Sequence, residues 1–187
     1  MIKIYYLFGL FILISVILFS CAGDISQCDT TRFKKLSIYP ASCTIKIPEY
    51  DIIDSAFIMD GTTILNYRIR ARDSSMSMVC FVQENNKNNH FSTDLRIIKE
   101  FQRNEVEFNR TGFQQLVDTI FKVKNVSIGY LKYLIPNTEA QFYESRVVFY
   151  ANGNLVTMWI FENVRNSLRA TKSLSDCIIE TIQFGKL

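Results

Sequence analysis

The sequence predicts an α+β domain, a mainly antiparallel β-sheet covered by helices. Three observations carry this reading. Several segments alternate apolar and polar residues with period two, three others repeat apolar residues at helical spacing, and an Asn-Gly pair sits between two long apolar runs. Strands with one apolar face and helices with one apolar stripe bury both by packing together.

The elements follow in chain order. From Ser42, CTIKIP alternates and is closed by Pro48. SAFIMD-GTTILNYRIRAR places Asp60-Gly61 between apolar runs, the residue pair of a two-residue type I′ hairpin turn. On its second arm Tyr67, Ile69 and Ala71 alternate with Arg68, Arg70 and Arg72, so one strand face is basic. SSMSMVCFVQ is a further strand, with Met76, Met78, Cys80 and Val82 on one face. ENNKNNH, residues 84 to 90, reads as an exposed loop because asparagine favours turns. Phe91, Leu95, Ile98 and Phe101 then predict a helix capped by Ser92 or Thr93, and Phe113, Leu116, Val117 and Ile120 a second behind Thr111. VSIGYLKYLIP returns to strand and ends at Pro136. QFYESRVVFYA and NLVTMWIFEN flank Asn152-Gly153; pairing 151 with 154 sets Val147 opposite Met158, Phe149 opposite Val156 and Arg146 opposite Trp159. That last pair predicts a cation–π contact of about 0.5–1 kcal/mol at an exposed site. Leu174, Cys177, Ile178 and Ile182 form the last amphipathic stripe, with Ser173 as N-cap and Gly185 as stop.

The N-terminus supplies an address. Lys3 precedes Ile4 through Phe19, sixteen residues of which only Gly9 and Ser15 are not apolar. A basic residue before a short apolar run reads as an export signal, and the run is shorter than the roughly 20 residues a spanning helix needs. Leu18-Phe19-Ser20-Cys21 resembles a bacterial lipobox, which implies a signal peptide at 1–20 and acylation of Cys21. Acyl chains contribute about 0.8 kcal/mol per buried methylene, so the expected state is tethered and not inserted. Residues 21–36 then serve as a polar tether and 37–187 as one domain. In a Gram-negative host, Ala22 after the cysteine implies sorting to the outer membrane.

With Cys21 assigned to lipid, Cys28, Cys43, Cys80 and Cys177 remain as disulfide candidates in an oxidising compartment, with three complete pairings open. Position in the chain favours Cys28 with Cys43 and Cys80 with Cys177. None forms a CxxC, so a zinc ribbon or a thioredoxin-type centre has no sequence support.

The order of elements, with YPASCTIKIPEYD at the start, then GYLKYLIP, AQFYESRVVFYANGNLVTMWIFEN and the closing SLSDCIIETIQF, resembles the PsbP-like α/β/α sandwich over roughly residues 37 to 184. That group includes the extrinsic photosystem protein, a Ran-binding import factor and the bacterial envelope lipoprotein DcrB. The resemblance implies the fold and transfers no functional residue.

Chemistry is sparsely supplied. His90 is the only histidine, and GxSxG, GxGxxG and GxxxxGK[ST] are all missing. No cofactor or metal is expected. Asp51 with Asp54, and Glu105 with Glu107, are spaced carboxylates that read as solvated surface. Twenty-one basic against 18 acidic side chains give a formal charge of +3, or +2 once Lys3 is lost, which argues against a nucleic-acid partner. Arg68, Arg70 and Arg72 are the candidate partner-binding group, and Tyr130, Tyr133, Tyr143 and Tyr150 are candidate lining residues. The expected function is a non-catalytic envelope lipoprotein that binds another envelope protein or supports a complex, held at the membrane by its N-terminal lipid. A periplasmic immunity protein that neutralises a toxin is the alternative, and a carboxylate-based enzyme is a third reading.

Overall fold

The computed structural model describes residues 28–59, 63–84, 94–136, 141–164 and 172–185. Residues 1–20, expected as a signal peptide, Cys21, the expected Asp60-Gly61 turn, the Asn-rich segment after Glu84 and the cap candidates Ser92 and Thr93 lie outside them. The described elements are, in order, β1 (Lys34–Ile38), β2 (Cys43–Ile47), β3 (Tyr50–Met59), β4 (Thr63–Ala71), β5 (Met76–Glu84), α1 (Leu95–Asn109), β6 (Gln114–Val123), β7 (Val126–Ile135), β8 (Phe142–Ala151), β9 (Asn154–Asn163), α2 (Leu174–Glu180) and β10 (Gln183–Phe184).

Seven strands form one antiparallel sheet in the order β3-β4-β5-β9-β8-β7-β6, and β1-β2-β10 form a second, smaller one. The period-two pattern decides which face of each strand is dry. On the large sheet, Ile69, Met78, Cys80, Met158, Val147, Phe149, Tyr130 and Ile128 face one way and join Leu36, Ile38, Cys43, Ile45 and Ile47 of the small sheet and Ile178, Ile179 and Ile182 in one core. Each such aliphatic side chain contributes roughly 1.5–3 kcal/mol when fully buried. The small sheet and α2 thus form the layer over this first face, and α1 lies on the second face against β7 and β8.

The β8–β9 hairpin has the predicted register, including Val147↔Met158, Phe149↔Val156 and Arg146↔Trp159. Its turn has φ of 49° at Asn152 and 74° at Gly153, the left-handed pair that a type I′ turn requires. Strands β3 and β4 pair antiparallel as far as Met59↔Thr63.

The structure corrects several expectations. Residues 114–123 form strand β6 and not a helix. Val117, Phe121 and Val123 pack as partly buried residues on the first face, a period-two set that the helical spacing of Leu116, Val117 and Ile120 concealed. A register shift between Gln115 and Val117 blurred the alternation further. Residues before 37 also take part in the described fold, with β1 starting at Lys34 and Cys28 bonded to Cys177, 149 residues on. The favoured pairings therefore do not form; Cys43 and Cys80 are buried free thiols. Helix α2 ends at Thr181, and Gly185 instead follows β10, where its N–H donates to the Ser42 carbonyl at 2.8 Å.

Candidate functional site

The register places one row of residues across the second face of the large sheet. It runs Arg68, Val79, Trp159, Arg146, Leu131, Asp118 from β4 to β6. The neighbouring row runs Arg70, Ser77, Phe161, Glu144, Tyr133. Helix α1 covers the β6–β8 end of both rows. At the other end Arg68 and Arg70 are exposed, with Ser77, Val79, Phe81 and Phe161 only half-buried.

What holds α1 there is mostly polar. Asp94 caps it by accepting the Arg96 N–H at 2.9 Å. Lys99 and Arg103 both reach Asp118 on β6. Gln102 Oε1 accepts from Trp159 Nε1 at 3.0 Å and from Arg146 at 3.3 Å. Arg146 also donates to the fully buried Glu144 at 2.8 Å and to Glu105 at 3.3 Å, and its guanidinium carbon lies 3.8 Å from the centre of the Trp159 ring. The predicted contact is present but buried, since Arg146 is 5% exposed; desolvated, such a contact is worth about 2 kcal/mol or more. The only apolar residue that α1 buries fully is Val106, against Leu131, Tyr133 and Ile135.

This rotation has a consequence for the outer side of the helix. Ile97, Phe101 and Phe108 recur at four and seven residues, so they share one stripe. They are 56%, 67% and 90% exposed. The apolar stripe predicted through Phe101 is thus divided: Leu95 and Ile98 are half-buried, and Phe101 faces outward. The aromatic residues at 101 and 108 were legible in the sequence, but their direction was not, because the inward positions are taken by Lys99, Gln102 and Arg103.

The arginine group is also divided. Arg72 sits just past β4 and is engaged: Nε and Nη2 donate to Asp51 Oδ1 at 3.0 and 2.9 Å, and Nη1 donates to Glu49 at 2.8 Å. Arg68 and Arg70 remain exposed on the strand. Arg70 also lines a cleft of about 350 Å³ with Ser74, Ser75, Ser77, Phe142 and Phe161, where the buried Ser75 hydroxyl has no hydrogen-bond partner among the described residues. Among the tyrosines, Tyr130 and Tyr133 are core residues, and Tyr143 and Tyr150 are half-buried.

The other polar cluster lies under α2. Tyr130 and Lys132 donate to the two oxygens of Asp176 at 2.6 and 2.8 Å, and Lys132 also contacts Ser173. Ser173 and Asp176 form a capping box. Glu162, 1% exposed, accepts the N–H groups of Leu174 and Ser175 at 2.8 and 3.1 Å. Burial raises its carboxyl above the ordinary range, and those bonds partly oppose the rise. Burial acts the same way on Asp176, but the hydrogen bonds from Lys132, Ser173 and Tyr130 outweigh it and hold that carboxyl below 3.8. Every member is spoken for within the cluster, which docks the N-terminus of α2 on the sheet. Groups of three or more metal-ligating side chains do not occur among the described residues.

The arrangement is similar to the solution structure of cyanobacterial PsbP (CyanoP) from Synechocystis sp. PCC 6803, with a TM-score of 0.56 and 14% identity over 87% of this chain and all of that one. The fold is PsbP-like. A second solved structure, the Saccharomyces cerevisiae Ran-binding protein Mog1p, aligns with 12% identity over 81% of this chain and 94% of that one, at a TM-score of 0.44. No protein-family model and no curated protein matches the sequence. Among the described residues, no element covers the half of the second face between the exposed aromatic stripe and the two exposed arginines.

Proposed function

We propose that this protein is a membrane-tethered binding module of the bacterial envelope, acylated at Cys21, which engages another protein through the outer side of α1 and the adjoining Arg68–Arg70 strand. The carrying observation is the exposure of Phe101 and Phe108. Two phenylalanines that withhold their apolar surface from their own core are unusual in a monomer and are the kind of anchor that interface energetics concentrate in. Arg68 and Arg70, on the same sheet face across β5 and β9 from the helix, suit a partner with acidic groups around an apolar centre. Fold-level likeness adds the scaffold and not the partner. The lipobox-like Leu18–Cys21 segment supports the tether, and Ala22 after the cysteine supports placement at the outer membrane in a Gram-negative host.

The test is site-specific photo-cross-linking in cells from positions 101 and 108, with position 122 as a control. One discrete adduct from 101 and 108, lost when Arg68 and Arg70 are both replaced by Glu, is the expected result. Equal, diffuse labelling from all three positions would remove the docking face. Mass spectrometry of the N-terminal peptide reads the anchor separately, and an unmodified Cys21 would remove that part of the reading.

A further inference from the structure

The disulfide at Cys28 constrains how the domain can sit relative to its membrane. On the tethered reading above, only residues 22–27 separate the lipid from a covalently fixed point of the fold. Seven residue steps extend at most about 25 Å. A domain of this length is about 40 Å across, from a radius of gyration of about 15 Å. The tether is therefore too short for the domain to turn over and present any surface freely. What lies near Cys28 lies near the bilayer.

The surface at that end has a definite character. Cys28 is bonded to Cys177 of α2, and Thr181, about 6 Å further along the helix axis, accepts the backbone N–H of Lys46 at 2.8 Å. Lys46 on β2 is the direct cross-strand partner of Lys35 on β1. Leu36, Ile38, Cys43, Ile45 and Ile47 fill the inward positions of these strands, so the alternating positions Lys35, Ser37, Thr44 and Lys46, with Gln183 on β10, form the outer face of the small sheet. Like charges directly opposite one another destabilise a strand pair. Lys34 nearby is bound to Glu49 and Lys172 to Glu180, whereas neither Lys35 nor Lys46 has a carboxylate partner among the described residues. Asp29 and Arg32, close to Cys28 in the chain, are also exposed, and Glu49 is shared with the exposed Arg72, which also pairs with Asp51. Just past β1, Tyr39 is 75% exposed, and tyrosine is a residue that settles at headgroup level.

We infer that the outer face of the small sheet, centred on Lys35 and Lys46, rests on the anionic headgroups of the membrane that holds the lipid anchor. The partner is the phospholipid surface itself. Two lysines would bind it weakly from free solution, but a tether of this length holds them at millimolar effective concentration, where weak attraction suffices. The same geometry turns α1, on the opposite face of the large sheet, away from the bilayer.

The experiment uses the full-length acylated protein on vesicles of phosphatidylcholine with 30% phosphatidylglycerol, on pure phosphatidylcholine vesicles and in detergent. Lysines are labelled briefly with an acetylating ester and read by mass spectrometry, which also reports Cys21. Lys35 and Lys46 are expected to label about fivefold more slowly on the anionic vesicles alone, with the difference lost in 1 M salt and Lys122 unaffected throughout. Acylated Cys21 with Lys35 and Lys46 labelling equally on both vesicle types would overturn the orientation and leave the anchor standing. An unacylated Cys21 would overturn both.

Discussion

The Arg146 guanidinium is clamped between the Trp159 indole, 3.8 Å from its ring centre, and the fully buried Glu144 carboxylate. This contact joins β8, β9 and, through Gln102, the helix whose outer side carries the exposed phenylalanines. It is a device for holding α1 in place without an apolar stripe. Among the described residues, Arg146→Ala leaves Glu144 with only the Arg110 contact at 3.3 Å, and strands a buried carboxylate. We expect a loss of about 3 kcal/mol by urea denaturation. Replacing Arg68 and Arg70 with Glu, out on the exposed strand, should shift stability by less than about 0.5 kcal/mol each.

Gly129 sits beneath α1. A Cβ placed there would lie 2.8 Å from Val148 Cγ2, with Leu95 and Lys99 at 3.6 Å. Valine has little freedom to turn aside. Gly129→Ala should cost about 1–3 kcal/mol, and the double variant with Val148→Ala should lose less than the sum of the two single losses, which a double-mutant cycle measures.

Asp176 and Glu162 titrate in opposite senses. The Asp176 carboxyl is held below its unfolded value, so its contribution is present above pH 4 and disappears as pH falls through the folded pKa. Glu162 is raised, so it favours the fold below its unfolded pKa and ceases to as pH climbs through the folded one. Asp176→Asn should therefore lower stability by about 3 kcal/mol at pH 7, through the lost pair with buried Lys132, and should flatten the acid limb below pH 4. Melting curves from pH 2.5 to 7 compare the two proteins.

Burial pushes the Cys43 thiol up to about 12 and raises Cys80 as well. At pH 8 the Cys43 thiolate is about one part in ten thousand, too little for alkylation, since the thiolate is the nucleophile. Native protein should take up no maleimide at these two positions within an hour, and two equivalents after unfolding without reductant.

The sequence was most informative where a pattern had a single physical reading. The Asn152-Gly153 hairpin could be placed to the residue because only that register puts Val147, Phe149, Val156 and Met158 on one face. Ser173 was legible as a cap for the same reason: a small hydroxyl residue precedes an apolar stripe. Residues 114–123 were misread because Leu116, Val117 and Ile120 fit a helix locally, and the partner that makes them a strand, β7, becomes a neighbour only in the tertiary fold. The disulfide was misassigned because sequence proximity says nothing about Cα separation, which is 5.3 Å for Cys28 and Cys177. At the candidate site, Arg68 and Arg70 were visible as alternating charge. The acids that occupy Arg72, Glu49 and Asp51, come from the turn and strand opposite, and pairing across strands cannot be read from spacing.

The Cys28–Cys177 bond encloses β1 through β9 and α1 within one covalent ring. A protease that cuts any single loop between these cysteines therefore opens the ring without dividing the molecule. Both fragments run together until a reductant is added, and a domain tethered through Cys21 stays at its membrane after such a nick. On the proposed function, such a nick would leave the partner-binding face covalently joined to the anchor, which a chain without the crosslink could not ensure.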